Sequence, residues 1–357
     1  MIIYHYLFKR FIIGVAVSLT VLVSIETFFS FTAELKYLNV ENYTIVTIIK
    51  YIILSLPKSV EIMYPYAVLI GSMLSFGAMA SDMEFVSMQA AGISVTKIIS
   101  IVIIQAFLLS TIFYYISDSI VPKYTIKAEK KKNLALNKKI IFTQNGVWFK
   151  DKNTFIKVNE VYSEDNLAGI TLYSYDDNKN LKSIKSISEA RYINSQWKLF
   201  NLKETFINEN PIINKSMQVK IVDHFIDKNL VTIKTHNPSS LSFSDVTKNI
   251  DYLTTNNLDA SIQKKIYWEK IFKPISTIIM LFLSMPFIFG RHRSTNTSKR
   301  LVLGLFIGIA FFIVSSIVPN LGMVFGVMPF VSVLLPNIIF IIVGKHLLDY
   351  HLEAGLR

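Results

Sequence analysis

The stretch FIIGVAVSLTVLVSIETFFSF, residues 11–31, decides the class of this protein. Crossing the hydrocarbon core of a bilayer takes about 20 mostly apolar residues in a helix. This run is that long and holds one ionisable group, Glu26. Lys9 and Arg10 precede it as they would in a secretory leader, but the apolar run exceeds the ~7 to 15 residues of a leader's core and lacks a small-residue cleavage pattern. It reads as a retained membrane anchor. Outward along the chain, similar runs recur at 62–80, 98–121, 271–290, 301–319 and 327–344, which makes six expected spans. A further apolar stretch, 45–56, carries Lys50 and ends at Pro57. Proline removes a helical hydrogen bond and clashes with the preceding turn, so Pro57 and Pro65 predict a break there and an interfacial or re-entrant lead-in to the second span. If that lead-in crossed the membrane by itself, everything downstream would invert.

Composition agrees with a membrane protein. The chain is 52% hydrophobic over 357 residues, too apolar for one ordinary soluble core. Cysteine is absent, which excludes disulfides, thiolate nucleophiles and zinc-cysteine sites. The formal charge of +12, from 37 Lys+Arg against 25 Asp+Glu, points to anionic lipids or ligands before nucleic acid. Positive charge in short loops stays in the cytoplasm, whereas long loops cross regardless of charge. Lys9, Arg10, Arg291, Arg293, Lys299, Arg300 and Lys345 all fall on one side, so both termini are expected in the cytoplasm. Segment 122–264 then lies outside, despite 22 basic residues against 15 acidic. The division is thus 1–121, spans one to three with a short helix at 81–92; 122–264, an extracytoplasmic domain; and 265–357, spans four to six with a cytoplasmic tail.

Within the middle segment the helical period gives way to short strand-like runs at 146–150, 154–161, 169–175, 181–193, 196–207 and 217–226. Asp176-Asp177-Asn178-Lys179-Asn180 and Asn194-Ser195 separate neighbouring runs as hairpin loops do. Successive strands without intervening helices predict an antiparallel sandwich or jelly roll. Its edge strands are either blunted by charge and proline or open to strand addition from another chain.

Catalytic chemistry is not encoded in any recognisable form. There is no phosphate-binding loop, and 92–97 (GISVTK) lacks its spacing and second glycine, so ATP hydrolysis is expected elsewhere. The six histidines show no ligand spacing with carboxylates beyond a weak cluster of His346, Asp349, Tyr350 and His351 in the tail, which reads as a solvated helix end. No catalytic residue, metal site or cofactor is assigned. Ionisable groups within spans are costly, and Glu26, with Glu61 and Asp118 near span ends, needs a partner helix or a ligand. One intramembrane glutamate is too few for a proton-driven transporter.

Two short segments carry more information. Residues 81–92, SDMEFVSMQAAG, start with a candidate N-cap serine, place Glu84 three positions on as in a capping box, and stop at a glycine. They predict a short cytoplasmic helix with an apolar ridge of Phe85, Met88 and Ala91 and with Asp82, Glu84 and Gln89 around it. Acidic groups disfavour an anionic bilayer surface, so the helix is expected to dock on a partner protein. After span three come Lys123, Lys127, Lys130, Lys131 and Lys132, with Lys36 at matching depth after span one. These read either as a cationic ring for phosphorylated headgroups, worth about 1 kcal/mol per charge, or as a solvated charge run.

With these residues in view, the chain resembles the LptF/LptG permeases of the lipopolysaccharide export machine, LptG more than LptF. The resemblance is carried by Leu56-Pro57-Lys58, Tyr64-Pro65, Leu69-Ile70-Gly71, the 82–92 helix, Val121-Pro122, Gln144-Asn145-Gly146-Val147-Trp148, Trp268-Glu269-Lys270-Ile271-Phe272-Lys273-Pro274 and Leu334-Leu335-Pro336. It implies six spans with an inserted periplasmic β-jelly roll, and a subunit without catalysis of its own. The implied partners are an LptF-like homologous permease, a dimer of a cytoplasmic LptB-like ATPase, and periplasmic LptC/LptA-like jelly-roll proteins. The implied cargo is lipopolysaccharide, extracted from the inner membrane. Asp82, Glu84, Phe85, Met88 and Gln89 then fall on the ATPase-coupling helix, with Glu84 toward a basic groove, and Lys36, Lys127, Lys130, Lys131 and Lys132 face the lipid headgroup. The chain departs from the family where Ser30 replaces a lysine and where Glu26 stands at a position usually small. Two other classes compete. A multi-span scaffold that binds partners without moving lipid would leave the docking helix unexplained, and a lipid-modifying enzyme would need a histidine or carboxylate constellation.

Overall fold

The structure is a computed structural model that describes residues 2–137, 146–207, 211, 213–223, 225–227, 230–231, 238–289 and 297–353. Gln144, Asn145, Arg291, Arg293, His224, His236 and His292, which entered the sequence reading, lie outside them. The described helices are α1 (Ile2–Leu35), α2 (Ile45–Ser81), α3 (Glu84–Ala90), α4 (Val95–Ala135), α5 (Phe243–Thr255), α6 (Ser261–Phe289), α7 (Thr297–Val324) and α8 (Pro329–Glu353). Between α4 and α5 run the strands β1 (Val147–Asp151), β2 (Thr154–Ser163), β3 (Asn166–Tyr175), β4 (Leu181–Ile193), β5 (Gln196–Phe206) and β6 (Ile213–Val222).

Five helices, α1, α4, α6, α7 and α8, are long and apolar enough to cross a membrane, and the second expected span lies in α2. Their outward faces show why a bilayer is the matching solvent. Val17, Val21, Ile25, Phe28 and Phe29 on α1, and Phe306, Phe312 and Ile313 on α7, are all exposed. Such a surface in water would be far larger than the few hundred Å² of apolar patch that a soluble monomer tolerates.

The break expected at Pro57 and Pro65 does not occur. Both prolines lie inside α2, which runs unbroken for 37 residues. Each removes one backbone bond, to the carbonyls of Ile53 and Glu61, but one face of the helix is pinned by Tyr64, Ala67, Val68, Leu69, Met73, Phe76 and Met79, all buried. Tertiary packing of this kind overrides local propensity. Residues 45–56 are therefore the start of α2, a single element, so they add no crossing of their own. Likewise α4 continues past Pro122 to Ala135.

By contacts the chain forms two compact units, one of residues 1–36, 52–125 and 264–357 and the other of residues 37–51 and 126–263. The first is built on α2 and α6. One core joins Leu7, Phe11 and Val15 of α1 to Phe76 and Met79 of α2, Phe85 of α3, Ile98 and Val102 of α4, and Leu281 and Met285 of α6. A second core joins Leu69 and Met73 to Met280 and Leu283 of α6, Phe311 of α7 and Phe340 of α8. Lipid tails are as apolar as leucine, so helices in a bilayer associate by close packing, and small residues at the contact permit it. At Gly14 of α1 and Gly71 of α2 the two backbones touch: a Cβ on Gly14 would come 2.4 Å from the Gly71 carbonyl oxygen, and one on Gly71 would come 2.6 Å from that of Gly14.

In the second unit the strands form one antiparallel meander in the order β1-β2-β3-β4-β5-β6, each paired with its neighbours in sequence. The expected antiparallel strands are thus present, and the sheet contains no crossover of the jelly-roll kind among the described residues. The expected hairpins form: Asn180 N–H donates to Asp176 Oδ1 across the β3–β4 loop at 2.8 Å, and Asn194 and Ser195 take the left-handed conformations of a two-residue turn. Alternation buries Phe149, Ile156, Val158, Leu167, Ile170, Ile187, Trp197 and Leu199 together with Ile226 and Val231. Trp197, 1% exposed, donates its indole N–H to the Ile226 carbonyl at 3.0 Å, which satisfies its one polar atom.

Candidate functional site

Helix α3 holds all but one of the residues assigned to docking, and Asp82 precedes it. Ser81 belongs to α2, and its hydroxyl donates back to the Gly77 carbonyl at 3.0 Å. The N-cap of α3 is Met83, left-handed at φ 60, with no side-chain cap. The expected serine cap and capping box are therefore absent, because α2 runs far enough to use Ser81 itself, and serine bonds readily to a carbonyl four residues back. The expected glycine stop does form, with Gly92 at φ 84 just after the last turn.

Phe85 of the expected apolar ridge is 4% exposed, packed on Phe76 of α2 and on Phe289 of α6 with ring centroids 6.4 and 4.8 Å away. Met88 is partly buried against the same core. The side of α3 left open shows Asp82, Met83, Val86, Ser87, Ala90 and Ala91. Gln89 keeps its amide nitrogen buried without a hydrogen-bond partner among the described residues.

Glu84 is engaged within the chain. The Tyr6 hydroxyl donates to its Oε1 and Oε2 at 3.0 and 2.8 Å, and Arg10 Nη2 donates to Oε1 at 3.2 Å. Arg10 also donates to the Tyr6 oxygen from Nε and Nη2, at 2.9 and 2.7 Å. Sequence reading used Arg10 only as a topology marker and missed Tyr6. The available signal was their spacing, since residues four apart on a helix share a face.

Of the lysines, Lys36 is exposed just beyond α1 in the first unit, and the others sit on the C-terminal part of α4 in the second. Lys127, Lys130 and Lys131 are exposed and, at spacings of three and four, line one face of the helix. Lys132 is half-buried, with its ammonium 4.9 Å from the Tyr37 ring and 4.8 Å from that of Tyr51. Part of its charge is thus committed to holding the 37–51 segment against α4, a cation–π role the sequence did not suggest.

Structure separates the acidic groups of the spans. Asp118 pairs with Lys270 at 2.7 Å and Glu61 pairs with Lys273, so two carboxylates from different helices meet lysines three apart on α6. That explains two positions of the Trp268–Pro274 stretch as neutralising partners. Glu26 differs: its Oε1 accepts from Ser30, four residues on at 2.8 Å, while Oε2 is buried with no hydrogen-bond partner among the described residues. It lies in a 480 Å³ recess with Leu22, Ile25, Phe29, Ser30, Ala33 and Met63.

The two edges of the sheet are unlike. At β1 the Tyr252 hydroxyl of α5 accepts from the Lys150 N–H at 2.8 Å and donates to the Lys150 carbonyl at 3.1 Å, while Lys150 Nζ donates to the Asn256 carbonyl. Burial raises the Tyr252 hydroxyl above its usual range, which keeps it protonated to donate. At β6 almost every residue is exposed, including Met217, Val219 and Ile221.

Comparison with known proteins places these features in one family. The model of the lipopolysaccharide export system permease LptF/LptG family matches residues 5–349. The lipopolysaccharide export system permease protein LptG of Escherichia coli K12 is 28% identical over 348 residues, 96% of this chain and 97% of that protein. LptG of Haemophilus influenzae is 28% identical over 341 residues, 95% of each chain.

Proposed function

This chain belongs to the family of lipopolysaccharide export permeases LptF/LptG, and from that membership we propose that it is the LptG-type half of an ATP-driven exporter. In this reading the exporter extracts lipopolysaccharide from the outer leaflet of the inner membrane and passes it to a periplasmic bridge. The observation that carries the proposal is the extent of the match, which takes in the apolar helices, the inserted sheet and α3 together. Its test is reconstitution with a homologous permease and an ATPase of the LptB kind, with ATP-dependent lipid release as the readout.

The partners follow from what each region presents. The chain supplies no ATP-binding loop of its own, so hydrolysis belongs to a separate subunit docked on the open side of α3, where Asp82, Met83, Val86 and Ser87 are exposed. Phe85 and Met88 then carry that contact inward to α2 and α6. The helices make the chain a multi-pass inner-membrane protein; residues 122–264 are assigned to the periplasm and both termini to the cytoplasm. In a chain without cysteine, Asn178→Cys in the β3–β4 hairpin is expected to react with an impermeant thiol reagent in cells with a permeabilised outer membrane, and Ser294→Cys is not. The opposite labelling pattern would invert the topology.

The periplasmic bridge is assigned to β6. A strand edge recruits another chain through its unpaired backbone groups. β1 is five residues long and has its Lys150 groups taken by Tyr252, whereas β6 is ten residues long and open. Photo-crosslinkers at Gln218 or Lys220 are expected to capture a periplasmic jelly-roll protein, and those at Trp148 or Lys150 are not. Capture from β1 alone, or from neither edge with transport intact, would count against this assignment.

A further inference from the structure

Apart from the exposed face of α3, a polar clasp joins α3 to α1. Glu84 is the first residue of α3, and its carboxylate is held by Tyr6 and Arg10, two residues four apart on the first turns of α1. Arg10 stacks over the Tyr6 ring at 5.2 Å while donating to its oxygen, so the three groups form one connected network. The backbone of the same turn is held as well, since the Ser75 hydroxyl of α2 donates to the Arg10 carbonyl at 2.5 Å. One turn further, Gly14 meets Gly71. By contrast, the side-chain packing of α3 on α2 and α6 is apolar, through Phe85 and the partly buried Met88.

We propose that Tyr6, Arg10 and Glu84 act as a coupling clasp, through which movement of the docked helix α3 is carried directly into α1. The proposal rests on the reading of α3 as the docking helix. Apolar contacts slide, but a carboxylate held by two donors at three hydrogen-bond distances fixes direction as well as position. A carboxylate has about four acceptor sites. Glu84 is 23% exposed and can therefore take a further donor from a docked partner while keeping Tyr6 and Arg10. A basic group in the partner would then pull on α1 through a single carboxylate. Tyr6 and Arg10 are positioning residues in this scheme and touch no cargo.

The test uses the assembled complex of this chain, its homologous permease and its ATPase, with Phe28→Cys on the exposed face of α1 carrying a spin label. Tyr6→Phe removes only the hydroxyl, and Arg10→Gln removes the charge while keeping a donor. In the parent the label spectrum is expected to change on adding nucleotide. In the Tyr6→Phe/Arg10→Gln variant that change is expected to be lost, and lipid released per ATP hydrolysed is expected to fall about fivefold, the low end of coupling between sites. ATPase stoichiometry should match the parent. A nucleotide response and a release ratio equal to the parent's would overturn the clasp. So would loss of the ATPase from the variant, because the residues would then belong to docking itself. Failure of the underlying reading looks different: the parent complex itself would retain no ATPase.

Discussion

Reversing Lys36, Lys127, Lys130 and Lys131 to glutamate together is expected to reduce lipid crosslinking and release more than a hundredfold, whereas each single reversal is expected to cost about five- to thirtyfold. The expectation follows from the charge arithmetic. A cation near an anionic surface contributes about 1 kcal/mol, and a reversal removes that and adds a repulsion of similar size. No single lysine dominates, since Lys127, Lys130 and Lys131 share one exposed face of α4 and lie along it like a rail. Lys132 is expected to behave differently. Its ammonium is in cation–π range of both the Tyr37 and the Tyr51 ring, so Lys132→Glu should loosen the 37–51 segment and lower thermal stability before it affects lipid. Lipid crosslinking in reconstituted vesicles, with ATPase activity followed in parallel, separates these effects. Parent-like crosslinking and release in the combined variant would reduce the lysines to a solvated charge run.

Gly71→Val is expected to be the most damaging single substitution to assembly. Its Cβ would sit 2.6 Å from backbone atoms of Gly14 and Val15, and backbone has no rotamer through which to retreat. The helices must part, which costs about 3 kcal/mol by the upper range for overpacked cores and removes the close contact on which membrane helices depend. Parting them also moves Arg10, one turn before Gly14, away from Ser75. Gly308→Ala is the matched control, because its Cβ would meet the nearest atoms, in Leu69 and Tyr66 side chains, at an ordinary 3.5 Å. Thermal unfolding of the detergent-solubilised complex should show a clear drop for Gly71→Val and little change for Gly308→Ala. Equal melting temperatures for both would show that the crossing is not under the constraint described.

The sheet was the most legible part of the sequence, and the reason is local. Strand β4 begins and ends, and β5 begins, where the alternation and the Asp176–Asn180 and Asn194-Ser195 turns predict, because hairpins between sequence neighbours depend on nothing distant; β5 ends one residue early. Helix α2 was misread because Pro57 and Pro65 speak for the local cost alone, and the burial of Tyr64 to Met79 that outweighs it comes from α1, α4 and α6. The serine cap of α3 failed for a related reason: a capping pattern is legible only if the preceding helix stops, and α2 does not stop before Ser81. Pairing was the least legible. That Asp118 and Glu61 meet Lys270 and Lys273, and that Glu84 meets Tyr6 across 78 positions of sequence, are facts of helix packing with no periodicity to announce them. The lysine face of α4, by contrast, could be read from spacing alone.

The central claim is that this chain moves lipopolysaccharide at the expense of ATP hydrolysed by a separate subunit. Vesicles containing this chain with a homologous permease and an LptB-like ATPase, loaded with lipopolysaccharide and supplied with a periplasmic jelly-roll acceptor, test it most directly. The account predicts lipid appearing on the acceptor only with hydrolysable ATP, and its disappearance when this chain is omitted or when Val86→Glu on the open side of α3 prevents the ATPase from docking. Transfer that proceeds without ATP, or that is unchanged when this chain is left out, would contradict it.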